Sequence, residues 1–322
     1  MVSAQFSIRY TALSPSDPGS WQPLLNRVTG ADRAGVDRVV LSGEHVVLGE
    51  HLENYARPEL GGRAGGQQPT GPDGHFLEPM TTMSFLAGMT SRVRLTSSIL
   101  LAALRRPVVL AKAAATLDVL SGGRLDLGVG IGWQREEYEA AGLDFRARGR
   151  LLDQTLEVCQ LLWTSQRASY SAPGLSFTGI HLMPKPVRPG GVPVWVSGTV
   201  NPRVMRRLAR FGAGWIPWGT ASDAAAALLA EIPRMREAVA ALGRDPLEVG
   251  IAGKLATVPG RDGEPDLAAT IAGLPGLLDA GVTDVRLKLP VPDDASAAED
   301  YLTPWVRAFR EVAGPPTERR PR

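Results

Sequence analysis

One stretch of the chain sets an acid and an imidazole side by side at the end of an apolar run, Leu41-Ser42-Gly43-Glu44-His45. Imidazole changes charge near neutral pH, so His45 suits proton transfer, with Glu44 placed to tune or orient it. The competing reading is a histidine that only ties down the loop behind it. His51, His75 and His181 fall in loop-like sequence, and no two histidines have the helical spacing of metal ligands. Cys159 lies on the apolar side of Leu152, Leu156, Leu162 and Trp163, which reads as core packing rather than a nucleophile. A single cysteine also excludes an internal disulfide and a multi-cysteine metal site.

Two further segments could hold a ligand. Gly128-Val129-Gly130-Ile131-Gly132-Trp133 follows a strand-like run and precedes a helical one. Glycines there let the backbone approach a planar ring or a phosphate; they could equally serve tight packing. A dinucleotide fingerprint needs Gly-x-Gly-x-x-Gly after the first strand and an acid about 20 residues on. Here the spacing differs, the segment comes late, and position 148 is Arg. The second segment, Ser197-Gly198-Thr199-Val200-Asn201-Pro202, leads from a buried strand into a helix start. Backbone N–H groups, hydroxyls and the helix dipole together favour a phosphate, the alternative being an ordinary capped helix. No nucleophile elbow and no phosphate-cradling lysine loop occur.

These groups need a scaffold, and apolar β-rich runs alternate with helical patterns along the chain. The strand-like runs are 6–10, 36–41, 93–101, 124–129, 192–196, 214–218, 247–257 and 284–289. Helical patterns occupy 21–34, 79–90, 107–120, 136–164 with a break, 202–211, 224–242, 267–280 and 295–312. Continuously apolar strands linked by helical crossovers predict a parallel sheet. Eight such units in 322 residues predict a (β/α)₈ TIM barrel, which normally takes about 250 residues. A doubly wound open sheet is the second choice. Insertions follow strand 2 and precede strand 5. Residues 49–75, rich in Gly and Pro, are too long for an ordinary connection and read as a mobile active-site lid; residues 167–193 read as a small hairpin. Residues 1–314 form one domain and 315–322 a flexible tail.

Apolar residues at 44% and charged residues at 21% are ordinary for a globular protein and exclude a disordered or collagen-like chain. No run approaches the roughly 18 apolar residues of a membrane helix, and MVSAQFSIRY lacks the regions of a secretory signal, so a cytoplasmic location is expected. Net charge is only +2, and just four of the 35 basic residues are lysine. Without a basic stripe or a recognition motif, nucleic acid is not an expected partner.

Taken together, several segments resemble the luciferase-like monooxygenase superfamily, especially its coenzyme F420-dependent oxidoreductases. They are Leu77-Glu78-Pro79-Met80, Thr90–Thr96, Arg106–Lys112, Ala115–Arg124, Gly128–Trp133, Arg135-Glu136-Glu137-Tyr138, Pro193–Gly198 and Gly214-Trp215-Ile216-Pro217. The resemblance implies a (β/α)₈ barrel, a homodimer, and an isoalloxazine-like ring over the strand ends. It implies a non-proline cis peptide at Ser98-Ile99 behind the ring, and ring contacts from Gly130, Gly132 and Trp133. His45 matches a histidine near the ring in some relatives. A deazaflavin sugar-phosphate dehydrogenase would carry Trp near position 49 and an acid at 133, where this chain has Gly49 and Trp133. The implied activity is hydride exchange between F420 and a small organic substrate. The alternatives are a reduced-FMN monooxygenase using O₂ with a separate reductase, and a non-catalytic flavin-binding protein.

Overall fold

The computed structural model describes residues 4–222 and 224–315. Of the expected tail, everything after Pro315 therefore lies outside the described residues. Eight parallel strands close into a barrel: β1 (Gln5–Thr11), β2 (Arg38–Ser42), β3 (Arg94–Ser97), β4 (Leu125–Val129), β5 (Val194–Gly198), β6 (Gly212–Pro217), β7 (Gly250–Lys254) and β8 (Asp284–Leu287). Strand β8 pairs back onto β1, from Gln5 opposite Asp284 to Ile8 opposite Leu287. That closure makes the fold a (β/α)₈ barrel and removes the open-sheet alternative.

The two-residue period of the strands decides which side chains reach the helices and which reach the lumen. In β1, Phe6 packs on Phe309 of the helix Ala295–Ala313, and the Tyr10 hydroxyl donates to the carbonyl of Arg27 in the helix Gln22–Ala34. Ser7, Arg9 and Thr11 therefore face the lumen. The lower lumen holds a buried charge network. Arg38 bridges Asp126 (2.8 Å) and Asp284 (3.0 Å), Arg94 joins Asp126 (2.7 Å), and Arg286 joins Asp284 (2.8 Å). Ser7 donates to Asp284, and the Arg38 guanidinium lies over the Trp195 ring at 4.7 Å. Burial alone would raise the Asp284 carboxyl, but the charges of Arg286 and Arg38 bring it down to about 2.

Several elements differ from the sequence expectation. Residues 93–101 read as one strand, yet β3 ends at Ser97; the chain then passes through a cis Ser98-Ile99 bond into a turn at Ala102–Leu104. The expected 267–280 helix is two helices, Leu267–Ile271 and Leu274–Asp279, because Gly273 starts the second and Pro275 offers no N–H to continue the first. The 167–193 insertion agrees with the expectation and is an antiparallel hairpin, Ala168–Ala172 with Leu175–Ile180. The 49–75 insertion folds into two short turns, Leu52–Ala56 and Pro58–Leu60. It ends at His75-Phe76, which pairs antiparallel with Leu13-Ser14.

Candidate active site

His45 is buried just beyond β2, and its Nδ1 lies 3.0 Å from Glu137 Oε2. Glu137 sits in the short helix Arg135–Ala140 that follows the β4 loop, and its other oxygen accepts from the Val46 N–H at 2.8 Å. Gln134 continues the same clamp, accepting from Gly49 N–H and donating to the Val47 carbonyl, each at 2.8 Å. The sequence sets Glu44 beside His45 to tune or orient it. The structure gives the hydrogen bond to Glu137, and Glu44 acts on the imidazole through its charge. Burial would push the imidazole down; the Glu137 hydrogen bond, with the charges of Glu44 and Glu137, more than offsets this and raises it above 6.5.

His45 Nε2 is buried and has no hydrogen-bond partner, and the same holds for Nε1 of Trp133. The two rings meet edge-on with centroids 5.7 Å apart, and Phe76 closes the other side of His45 at 5.4 Å. Two buried N–H-bearing rings with an unsatisfied nitrogen each are costly unless something polar completes them. Trp195, Ile216 and Ala252, on β5, β6 and β7, form a small apolar cluster distinct from the main core, against which Ile99 packs. Unsatisfied ring nitrogens and an apolar cluster within one barrel fit a planar heteroaromatic group bearing nitrogens and carbonyls.

The remaining sequence candidates border this space. Ser98 and Ile99 are half-buried at the end of β3. The glycines of the β4 loop make room for their neighbours: a Cβ on Gly130 would meet Ile99 Cδ1 at 2.1 Å, and one on Gly132, at φ +67°, would meet Leu101 Cδ2 at 2.9 Å. Packing thus accounts for both without a ligand. Beyond β5, Ser197 and Gly198 are half-buried and Thr199 is exposed. The helix Pro202–Phe211 is already capped: Arg203 and Val204 N–H donate to Asn201 Oδ1, both at 3.1 Å, and Met205 N–H to the Asn201 carbonyl. Pro202 has no N–H, so the first helical turn offers no spare donor, and any anion here must use the Ser197–Thr199 segment itself.

The insertion after β2 covers this end of the barrel. Tyr55 packs between Trp133 beyond β4 (5.3 Å) and Trp218 beyond β6 (6.3 Å), and Arg148 Nη2 donates to the Leu60 carbonyl at 3.1 Å. A pocket of about 370 Å³ lies between these turns and Trp133-Gln134. A broader concavity of about 1350 Å³ lies at the opposite end of the strands, beside Gly123, Arg188 and Arg244, and touches none of the candidate residues. Barrel sites form at the strand C-terminal ends, so the His45 end is the candidate site. Cys159 is fully buried, and among the described residues no cluster of His, Cys, Asp and Glu could hold a metal.

Glu137 and Gln134 were not singled out from sequence. The available signal was an acidic helix start one loop beyond a barrel strand, but its partner lies 92 residues away.

A closed parallel barrel with its polar groups gathered at the strand ends defines an α/β-barrel enzyme class. The sequence profile of luciferase-like monooxygenases matches residues 4–274, so the chain belongs to the luciferase-like monooxygenase family. It is 34% identical over 238 residues to the uncharacterized protein Rv0953c of Mycobacterium tuberculosis, covering 72% of this chain and 78% of that one. It is 31% identical over 235 residues to the phthiodiolone/phenolphthiodiolone dimycocerosates ketoreductase of the same species, covering 70% of this chain and 60% of that one. In fold it is similar to an F420-dependent secondary alcohol dehydrogenase solved with an F420-acetone adduct. That match has a TM-score of 0.71 at 17% identity, covering 96% of this chain and all of the other. No described helix is long and apolar enough to cross a membrane.

Proposed function

We propose that the protein is an F420-dependent oxidoreductase that interconverts a carbonyl and an alcohol on a small organic substrate. The observation that carries this reading is the buried His45–Glu137 pair at the end of β2, with Nε2 of His45 left unsatisfied. Support also comes from relatives named for ketone and secondary-alcohol chemistry.

Ser98, Ile99, Gly130, Gly132 and Trp133 border the ring of the coenzyme in this reading, and Ser197, Gly198 and Thr199 hold its phosphate. When bound, a deazaflavin supplies hydride exchange at C5 and reacts poorly with oxygen. The protein supplies orientation and the proton. Glu137 holds Nδ1–H of His45, which leaves Nε2 to donate a proton to the carbonyl oxygen in reduction and to take it back from the hydroxyl in oxidation. Tyr55 and the turns around it keep water from that oxygen. Exposed Phe85, Val109 and Leu120, on the adjacent helices Pro79–Met89 and Pro107–Leu120, support a homodimer.

The family name itself favours a second reading, a reduced-FMN monooxygenase fed by a separate reductase. Titration of the purified protein with F420 and with FMN, followed by turnover with and without O₂, separates the two. Binding of F420 and oxygen-independent turnover are expected. Exclusive binding of FMN with oxygen-dependent turnover would replace this reading by the monooxygenase.

A further inference from the structure

The lumen wall formed by β7, β8 and β1, which begins beside the His45 strand β2, is cationic. In β8, Asp284 and Arg286 face the lumen, since Asp284 contacts Arg38 and Ser7, and the Arg286 Nη1 donates to Ser98 Oγ at 3.2 Å across the barrel. The same alternation, with Val285, Leu287 and Leu289 buried, turns Lys288 toward the mouth. In β7, Ala252 belongs to the lumen cluster, so Lys254 two residues on shares its face. Lys254 is level with Arg286 in register, and Arg286 with Ser7 of β1. Arg9, one step above Ser7, is the fourth cation.

Of these four cations, Arg286 alone pairs with a carboxylate among the described residues, Asp284, which Arg38 shares. Lys254 and Lys288 are exposed and have no ion-pair partner among the described residues; Arg9 reaches only the Ser42 hydroxyl, at 3.3 Å. Nη2 of Arg286 is buried without a hydrogen-bond partner. Like charges brought together repel, and an unpaired guanidinium nitrogen costs free energy, so this wall is completed by an anion.

We infer that Lys254, Lys288, Arg286 and Arg9 bind an oxyanion, a carboxylate or phosphate, carried by the substrate whose carbonyl reacts beside His45. Because β1 pairs directly with β2, one molecule can place its carbonyl beside His45 while its anionic group rests on these cations. The substrate class is then an anionic carbonyl compound or its alcohol. This rests on the reading of this barrel end as the active site.

The test uses inorganic phosphate as the probe, titrated calorimetrically at constant ionic strength into the wild type, Lys288→Gln and the Lys254→Gln/Lys288→Gln pair. F420 affinity and melting temperature are measured in parallel. Charge-assisted hydrogen bonds predict saturable one-to-one binding that weakens roughly tenfold or more in the double variant. The expected companion result is an unchanged F420 affinity and melting temperature. Phosphate affinity that survives the double substitution overturns the site. A parallel loss of F420 affinity overturns the assignment to substrate, because the cations then hold the coenzyme's own phosphate. Should phosphate bind and neither F420 nor FMN do so, the oxyanion site stands and the proposed cofactor falls.

Discussion

The two walls of the barrel mouth are built on different principles. The side from β2 to β5 is glycine-rich, and at its mouth the His45–Glu137 pair is buried. The side of β7, β8 and β1 carries exposed cations, and a buried network crosses the lumen beneath them from Asp284 of β8 to Arg38 of β2 and Asp126 of β4. The first wall keeps its unsatisfied groups few and fixed, which suits orienting a reacting atom. The second presents exposed charge in Arg9, Lys254 and Lys288, which suits capture of an anion with little geometric demand. Chemistry and recognition are therefore expected to separate on mutation.

The largest effect should come from the first wall. His45→Asn removes the proton donor while keeping a polar side chain of similar reach, and turnover should fall about 10²–10⁴-fold. Cofactor affinity and melting temperature should change little. Turnover within about threefold of wild type would remove His45 from the chemistry, being far below that range. A joint collapse of melting, binding and turnover would show a packing role instead.

The second wall should fail through its foundation. Asp284→Asn leaves Arg38 and Arg286 short of a partner in the lumen, and breaking a buried pair costs about 3–5 kcal/mol. The carboxyl is held at about 2 against an ordinary 3.8, so its contribution is present above the ordinary value and lost as pH falls toward 2. Chemical denaturation at pH 7 and pH 3 checks both the size and the sign. A smaller loss is expected at Thr199→Glu, where a like charge at the proposed phosphate site should weaken F420 binding roughly hundredfold with the fold intact. Unchanged affinity would remove Ser197–Thr199 from the cofactor site.

The barrel was legible in the sequence because its strands are short apolar runs between strong helical patterns, and that signal is local. The same locality located His45 at a strand end and Cys159 in the core. The Glu137 partner was not legible, since nothing in Arg135-Glu136-Glu137-Tyr138 marks which acid turns inward, and closure of the barrel brings it to His45. The cationic wall was missed for another reason. Arg9, Lys254, Arg286 and Lys288 look like ordinary exposed basic residues until strand parity and register turn them to one side. At Asn201-Pro202 the asparagine already satisfies the helix donors, so a phosphate there rests on Ser197–Thr199 and not on the helix start.

The smallest expected effect concerns Glu44, which bears on the buried pair of the first wall by charge alone. Glu44→Gln removes one of the two carboxylates that raise the imidazole, so the His45 pKa should move down while the Glu137 hydrogen bond stays. A half-exposed charge is worth about 1 kcal/mol or less, so turnover at low pH should stay within roughly fivefold of wild type. The pH dependence is the sharper readout. Protonated His45 is the donor in the reductive direction, so carbonyl reduction should decline as pH rises through the pKa of His45, and earlier in the variant than in wild type. Stability carries the same sign. Because His45 is raised above its ordinary 6.5 in the folded protein, its contribution is complete below 6.5 and is lost as pH rises through the folded value. Melting temperatures of wild type and Glu44→Gln should therefore agree at alkaline pH and diverge on acidification, with wild type the more stable. Identical pH profiles for the two proteins would leave Glu137 as the sole carboxylate acting on His45.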